Sequence, residues 1–391
     1  MNAIVIAGAS VAGIAAAKTL RKEGFAGAIT LVDPESVLPY DRTMLSKDLL
    51  LGRVDVDELS LLDEEDLGLM GLRWRRGTHV TELDDDARRV RLGDGSWLPF
   101  DGLVIATGSS PRPLPLGHTP GRGVHELRTL GDAITLRAAL CSARKVMIVG
   151  GGFIGLEVAA AAVELGVAAT VLEIGDAPLA QVLGAEVGMA IARRHQLRGV
   201  EILTRASATA WIGDGSVEGL QLADGRRVAG DLGLVGVGVV PNTAWLAGSR
   251  LASQDGVQCE PTLATSVAGI VAAGDVARWR HPLADREIRI EHFEHAELSG
   301  SHAARCLLAE GDIAPYAPVP FVWSHQGPHT VHVAGFPSPH AEVEVVEGDL
   351  EVGPFAATYR EDGRTVGVLT FDLPRTFRRL RRDLQPQGVT V

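Results

Sequence analysis

Twice along the chain, a short apolar run leads into a glycine-rich turn, a stretch of helix-forming composition and a second apolar run that stops at an acid. In the first copy the run is residues 3–7, the turn Gly8 to Gly13, the helix 14–23 and the second run 29–32, ending at Asp33. In the second copy the same parts fall at 146–149, Gly150 to Gly155, 156–165 and 169–172, ending at Glu173. Unbroken apolar runs of this kind suit strands buried on both faces of a parallel sheet. Each copy also carries a hairpin signal: Asp94-Gly95 between 88–92 and 97–100, and Asp224-Gly225 at the same relative place in the second. An apolar strand at 103–106 closes the first copy at Thr107-Gly108. Repetition of a whole pattern, more than of identities, predicts an internal duplication of architecture.

Other stretches break the pattern. Residues 40–72 are polar with helical patches and read as an excursion from the first sheet, and proline-rich 111–120 reads as a linker. From about residue 315, Pro315, Pro318 and Pro320 open a region of short alternating segments at 331–334, 341–346, 356–359 and 366–371. That alternation predicts a small antiparallel sheet. Arginine-rich 375–383 predicts a closing helix, with Arg375, Arg378, Arg379 and Arg382 on one face.

Composition narrows the classes. A chain of 391 residues, 46% hydrophobic and 22% charged, is globular and long enough for two or three domains. An excess of 49 acidic over 37 basic residues, net −12, argues against a general nucleic-acid or anionic-membrane binder. Cys141, Cys259 and Cys306 lie far apart, with no C-x-x-C pair and no zinc or iron–sulfur spacing, so neither a metal centre nor a dithiol is expected. Residues 1–7 hold no basic segment followed by an apolar leader, and no run of 18 apolar residues occurs. The expectation is a soluble cytoplasmic protein.

The chemistry sits in the turns. Gly150-Gly-Gly-Phe-Ile-Gly155 is a complete G-x-G-x-x-G between a strand and a helix. Such glycines permit a tight turn, close approach of a pyrophosphate and close helix–strand packing, while the helix start offers free N–H groups to the phosphates. Glu173 follows at the end of the next strand, where a carboxylate accepts hydrogen bonds from a ribose and repels a 2′-phosphate. Ile174-Gly175-Asp176 supplies no arginine, so NADH is preferred over NADPH. The first turn, Gly8-Ala-Ser-Val-Ala-Gly13, has Ser10 in place of the second glycine, and Asp33 as its acid. Taken singly, each turn is also compatible with a plain structural βαβ unit. Two such units in one chain suggest two dinucleotides.

Further motifs carry a resemblance. They are Tyr40-Asp-Arg-Thr-Met-Leu-Ser-Lys47, Leu103-Val-Ile-Ala-Thr-Gly108, Gly236-Val-Gly-Val-Val-Pro-Asn242, Gly269-Ile-Val-Ala-Ala-Gly-Asp275, Gly274-Asp-Val-Ala-Arg278 and Pro320-Phe-Val-Trp-Ser-His-Gln326. With them the chain resembles the flavoprotein pyridine-nucleotide reductases with paired FAD and NAD domains. Among these it is similar to the oxygenase-coupled NADH-dependent ferredoxin reductases, over essentially its whole length. The resemblance implies an α/β fold of two Rossmann-like dinucleotide-binding domains plus a small C-terminal α+β domain. Residues 1–110 and 233–313 would bind FAD, 111–232 NAD, and 314–391 would form an interface domain. It implies an FAD site of Gly8, Ser10, Gly13, Asp33, Arg42, Lys47, Val80, Ala106, Thr107, Gly108, Arg112, Asp275 and Trp323. The NADH site would be Gly150, Gly152, Phe153, Ile154, Gly155, Glu173 and Gly238.

By the same resemblance Arg42 neutralises FAD phosphates, Lys47 sits at the reactive flavin edge paired with Glu157, and Trp323 lies beside the ring. A surface salt bridge for Lys47 and an interface-core role for Trp323 are the alternatives. The chain departs from the family in having Thr43-Met44 where two prolines are common, and His325 where an aspartate is common. Relatives that relay electrons through a thiol place a cysteine close to residue 44, which here is methionine. The implied reaction passes electrons from NADH through FAD to a ferredoxin-type iron–sulfur protein serving an oxygenase or cytochrome P450. An acidic ferredoxin needs a local positive patch, for which Arg278 and Arg280 are the candidates, with Arg286 and Arg289 following. A free-standing NADH-dependent flavin oxidoreductase acting on oxygen, a quinone or another small acceptor is a rival reading. A redox-sensing interaction protein resembling apoptosis-inducing factor is another. Oligomeric state is open.

Overall fold

In the computed structural model, which describes residues 1–117 and 121–384, both apolar repeats are central strands of parallel sheets. The part of the expected 111–120 linker at 118–120 and the end of the expected terminal domain at 385–391 lie outside the described residues. The chain forms two units: Met1–Asp41, Leu59–Ser110 and Val240–Pro320 make the first, and Arg42–Glu58, Pro111–Val239 and Phe321–Val391 the second. In the first unit, Ala3–Ala7 pairs in parallel with Ala28–Asp33 on one side and Gly102–Ile105 on the other. Leu72–Arg76 and Ile270–Ala272 extend the two edges. Strand order reverses between Ala3–Ala7 and Gly102–Ile105, and the carboxyl ends of strands at such a reversal are where open parallel sheets take ligands. The helices Val11–Lys22 and Phe293–Leu308 pack together in this unit, and a Cβ on Gly300 would overlap the Ala12 carbonyl oxygen.

The second unit repeats the plan. Lys145–Val149 lies between Ala168–Leu172 and Leu232–Val235, with Glu201–Leu203 and Val124–His125 outside them, all parallel. Both predicted hairpins form, with Gly95 and Gly225 at φ 85° and 87° and the preceding aspartates accepting N–H bonds from Ser96 and Arg226. The predicted antiparallel sheet has five strands, in the order Phe321–Gln326, His329–Gly335, Arg364–Phe371, Phe355–Glu361, Glu342–Gly348. Its apolar face (Val331, Phe355, Tyr359, Leu369, Phe371) packs on Leu156, Leu183, Val187 and Ile191 of the helices Phe153–Glu164, Ala180–Leu183 and Ala185–Leu197. Each such side chain contributes about 2 kcal/mol by leaving water. The Tyr359 hydroxyl donates to the Leu183 carbonyl at 3.0 Å, which fixes the register of that contact. Leu116, inside the stretch expected as a linker, is buried in the core of this unit.

The first unit also buries imidazoles. Trp279 is fully buried, donates its indole N–H to the Tyr316 carbonyl at 3.2 Å, and stacks on His295 with ring centroids 5.2 Å apart. His295 Nδ1 lies 3.1 Å from the Tyr316 hydroxyl. His281 donates from Nε2 to the Pro318 carbonyl and accepts the Leu283 N–H at Nδ1. Burial holds His281 and His292 down at about 4 and His295 at about 3. All three are therefore neutral at physiological pH.

Candidate functional site

The two glycine turns are superposable in their bonding, residue for residue. Gly8 N–H donates to the Val32 carbonyl and Gly150 N–H to the Leu172 carbonyl, each at 2.8 Å. Both glycines have positive φ, 105° and 112°, and a Cβ on either would overlap a carbonyl oxygen of the neighbouring strand end, Ala106 or Gly236. A Cβ on Gly13 would overlap the Gly8 carbonyl, and one on Gly155 that of Gly150, so these glycines let each helix sit against its strand. The strand-end acids match too. Asp33 accepts the Ala9 and Glu35 N–H groups at 2.6 and 2.9 Å. Glu173 accepts those of Gly151 and Gly175 at 2.9 and 2.7 Å.

A pyrophosphate fits this arrangement. Gly152, N-cap of the helix Phe153–Glu164, has no atom within 4 Å of where a Cβ would stand, leaving space directly before the unpaired N–H groups of the helix start. Ser10 occupies the N-cap place of Val11–Lys22 in the first turn. Ile154 and Ile174 are exposed beside the second turn, where apolar side chains with no packing role suit a nucleotide.

Around the first turn, Asn242 knits the loop after Gly102–Ile105. Thr107 Oγ1 donates to the Asn242 carbonyl at 2.9 Å, and Asn242 Nδ2 returns a bond to the Thr107 carbonyl at 2.8 Å. Asn242 N–H donates to Gly108, which has φ 63°. Asp275 accepts the Ser109 hydroxyl at 2.7 Å, and its carbonyl accepts from Arg289. Val80 is buried in the core, leaving its main chain as the part able to meet a ligand. In the second unit Arg112 donates its N–H to the Gly238 carbonyl at 2.9 Å and its guanidinium to the Val239 carbonyl. Arg42 donates to the Arg128 carbonyl at 2.8 Å.

Lys47 and Glu157 meet. Their Nζ and Oε1 atoms lie 3.1 Å apart, with both side chains almost wholly buried. Glu157 stands among buried residues of its helix that are otherwise apolar, where an ionised carboxylate needs several donors. The structure supplies Lys47, the Ser46 hydroxyl on Oε2 and the Ser324 hydroxyl on Oε1 at 2.8 Å. Gln326 Nε2 donates to Ser324 Oγ at 3.3 Å, and its Oε1 accepts from His195 Nε2 at 2.8 Å. On the strand Phe321–Gln326, Ser324 and Gln326 point inward while His325 points out and bonds Thr330. The His325 departure thus stays out of the Glu157 hydrogen bonds, though it feels the charges of that pair. Burial and the Lys47 charge hold His325 below the usual imidazole range. Trp323 stacks on Phe321 at 5.5 Å.

The expected positive patch is different in character from the sequence expectation. Arg278 is bonded to Asp255 and Glu287, Arg280 to Asp285, and Arg289 to Glu291 and Asp255, so these three arginines are paired with four carboxylates. The cysteines take no part in the turns. Burial pushes the Cys259 thiol up to about 12 and raises Cys306, which keeps both as unreactive thiols. Sequence reasoning missed Ser46, Ser109, Asn242, Ser324 and the Asp176–Arg205 pair. Each acts on a residue distant in sequence, and no spacing announces it. No described helix is long and apolar enough to cross a membrane.

Comparison with known proteins agrees with this geometry. Residues 2–300 match the family model for pyridine nucleotide-disulphide oxidoreductases, and 321–390 match that for the reductase C-terminal domain. The chain is 39% identical over 382 residues to a probable ferredoxin reductase of Castellaniella defragrans, covering 96% of this chain and 93% of the relative. It is 35% identical over 395 residues to the ferredoxin–NAD(+) reductase subunit of a benzene 1,2-dioxygenase system of Pseudomonas putida, covering 99% and 93%. The reductase in a crystal structure of the covalent putidaredoxin reductase–putidaredoxin complex superposes with a TM-score of 0.93 at 30% identity, over 98% of this chain and 93% of that one. The chain belongs to the pyridine nucleotide-disulphide oxidoreductase family, in the form that ends in a reductase C-terminal domain.

Proposed function

We propose that this protein is an NADH-dependent, FAD-containing ferredoxin reductase of the cytoplasm. It passes electrons to a ferredoxin-type iron–sulfur protein that serves an oxygenase or a cytochrome P450. The observation that carries the reading is the duplicated turn: two positive-φ glycines, two strand-end acids and two helix starts in one chain, hence two dinucleotides. Proximity of the named relatives, whose printed roles are ferredoxin reduction, sets the acceptor class. Bound FAD supplies the conversion of a two-electron donor into single-electron transfers.

The chain's own residues position and hold charge. The expected boundary at 232/233 falls inside the strand Leu232–Val235 of the second sheet, so we assign residues 1–110 and 240–313 to FAD, 111–239 to NADH and 314–391 to an interface domain. Gly150, Gly152 and Gly155 seat the NADH pyrophosphate and Glu173 its ribose, while Asp33 does the same for FAD. Glu157, with the two serines, holds the Lys47 ammonium in place, where it stabilises negative charge at the flavin edge. No protein acid or base is needed for hydride transfer. The test begins with the purified, FAD-loaded protein, which is expected to be yellow and to bleach with NADH under anaerobic conditions. The reduced protein is then expected to reoxidise faster with a [2Fe–2S] ferredoxin than with oxygen. A protein colourless after incubation with FAD, or one reoxidised by oxygen but by no ferredoxin, refutes the reading.

Arg278 and Arg280 are assigned to docking. Their intramolecular pairs are exposed and each is worth under about 1 kcal/mol, so carboxylates of a partner compete for them. Arg278→Glu with Arg280→Glu is expected to raise the ferredoxin KM about tenfold at low salt, an effect that fades as salt screens it. Ferricyanide reduction by the same variant stays at the wild-type rate. An unchanged ferredoxin KM removes these residues from the interface.

A further inference from the structure

The end of the strand Ala168–Leu172 carries a cation that residues 173–176 do not reveal. Glu173 N–H donates to the Leu203 carbonyl, and Ala206 N–H to the Glu173 carbonyl, so the two strand-end loops are laced together. Arg205 lies in the second loop with φ 52°, a conformation uncommon for a side chain with a Cβ. Its main-chain N–H donates to the Gly175 carbonyl at 2.9 Å. Its Nε lies 2.6 Å from Asp176 Oδ1. The two side chains are 80% and 63% exposed, and a pair so open to water adds little to stability. What it does is occupy a guanidinium standing beside the ribose-binding carboxylate.

We propose that Asp176 is a specificity-determining residue for the nucleotide, acting by tying up Arg205, which is a latent anchor for a 2′-phosphate. The inference rests on the reading that Glu173 faces the adenosine ribose. An arginine fork is the side chain best matched to a phosphate, and a carboxylate bound to that fork both blocks it and adds a repelling charge. Discrimination of this kind has an attractive and a repulsive part. Glu173 rewards a ribose hydroxyl, and Asp176 withholds the cation that a phosphorylated ribose requires.

The test is calorimetric titration of the oxidised, FAD-loaded protein with NADP+ and with NAD+ at low salt. Asp176→Asn is expected to tighten NADP+ about two- to fivefold, the equivalent of an exposed charge pair transferred to the ligand, with NAD+ affinity unchanged within error. In Asp176→Asn combined with Arg205→Ala the gain is expected to vanish. Unchanged NADP+ affinity in the single variant overturns the proposal. So does a gain that survives loss of Arg205, which makes Asp176 a repelling charge and nothing more. Glu173→Gln separates the two layers. Weakened NAD+ binding in that variant upholds the ribose assignment, and undiminished NAD+ binding refutes it along with everything built on it.

Discussion

Gly150→Ala is expected to leave a yellow, folded protein that NADH no longer bleaches, whereas Gly8→Ala yields protein that does not retain FAD. Both glycines sit at positive φ against a carbonyl oxygen of the adjacent strand, Gly236 in one case and Ala106 in the other. An alanine there suffers backbone strain of about 1–3 kcal/mol, and its methyl forces apart the two strand ends that frame the phosphate site. Together these should raise the NADH dissociation constant at least about a hundredfold for Gly150→Ala. Gly152→Ala gives a useful contrast, because its methyl enters open space and strains nothing. It is expected to weaken NADH with no change in thermal stability. The flavin-to-protein absorbance ratio and an anaerobic NADH titration read all three variants. Bleaching of Gly150→Ala at wild-type NADH concentrations contradicts the pyrophosphate assignment.

Much of this was legible from the chain because strand, turn and acid are local features. Both predicted helices begin three residues earlier than their apolar composition suggests, at Val11 and Phe153. The reason is that Gly13 and Gly155 belong inside the helices, where they permit close approach to the strand. The strand Phe321–Gln326 was seen as a motif and not as a strand. Its inward positions hold Ser324 and Gln326, polar residues that break the alternation because they serve Glu157 and not an apolar core.

Partners distant in sequence stayed invisible for a different reason. Ser46 and Ser324 reach Glu157 across 111 and 167 residues, and Ser109 reaches Asp275 across 166. Hydroxyls give no periodic signal, so only the fold assembles them. The arginines at 278, 280 and 289 were legible as charge. That Asp255, Asp285, Glu287 and Glu291 fold against them was not, and four carboxylates beside three arginines no longer make a positive patch.

Thermal stability of the flavin-saturated protein is expected to fall steeply between pH 6.5 and 4, with the first unit failing first. His281 and His292 titrate at about 4 and His295 at about 3 in the folded chain, because burial penalises their charged form. In the unfolded chain each titrates near 6.5. Below that value the unfolded state binds more protons than the folded one, so stability rises with pH across the window. The contribution of these neutral imidazoles is fully present above about pH 6.5 and is lost as pH falls toward 4. At pH 5 each histidine has forfeited about 2 kcal/mol, and the three together about 6, a large share of the 5–15 kcal/mol typical of a domain. Carboxylates held below their usual range, such as Asp101 with its Asn2 and Ala3 N–H donors, act at lower pH and leave this window to the histidines. Hydrogen exchange resolved to peptides should place the acid-labile region around Trp279, His295 and Tyr316. Replacing His295 by leucine removes one of these titrating groups, and the dependence of melting temperature on pH should flatten measurably. Equal melting temperatures at pH 7.5 and 5 in the wild type, or an undiminished slope in the variant, would show that these rings take up protons without opening the fold.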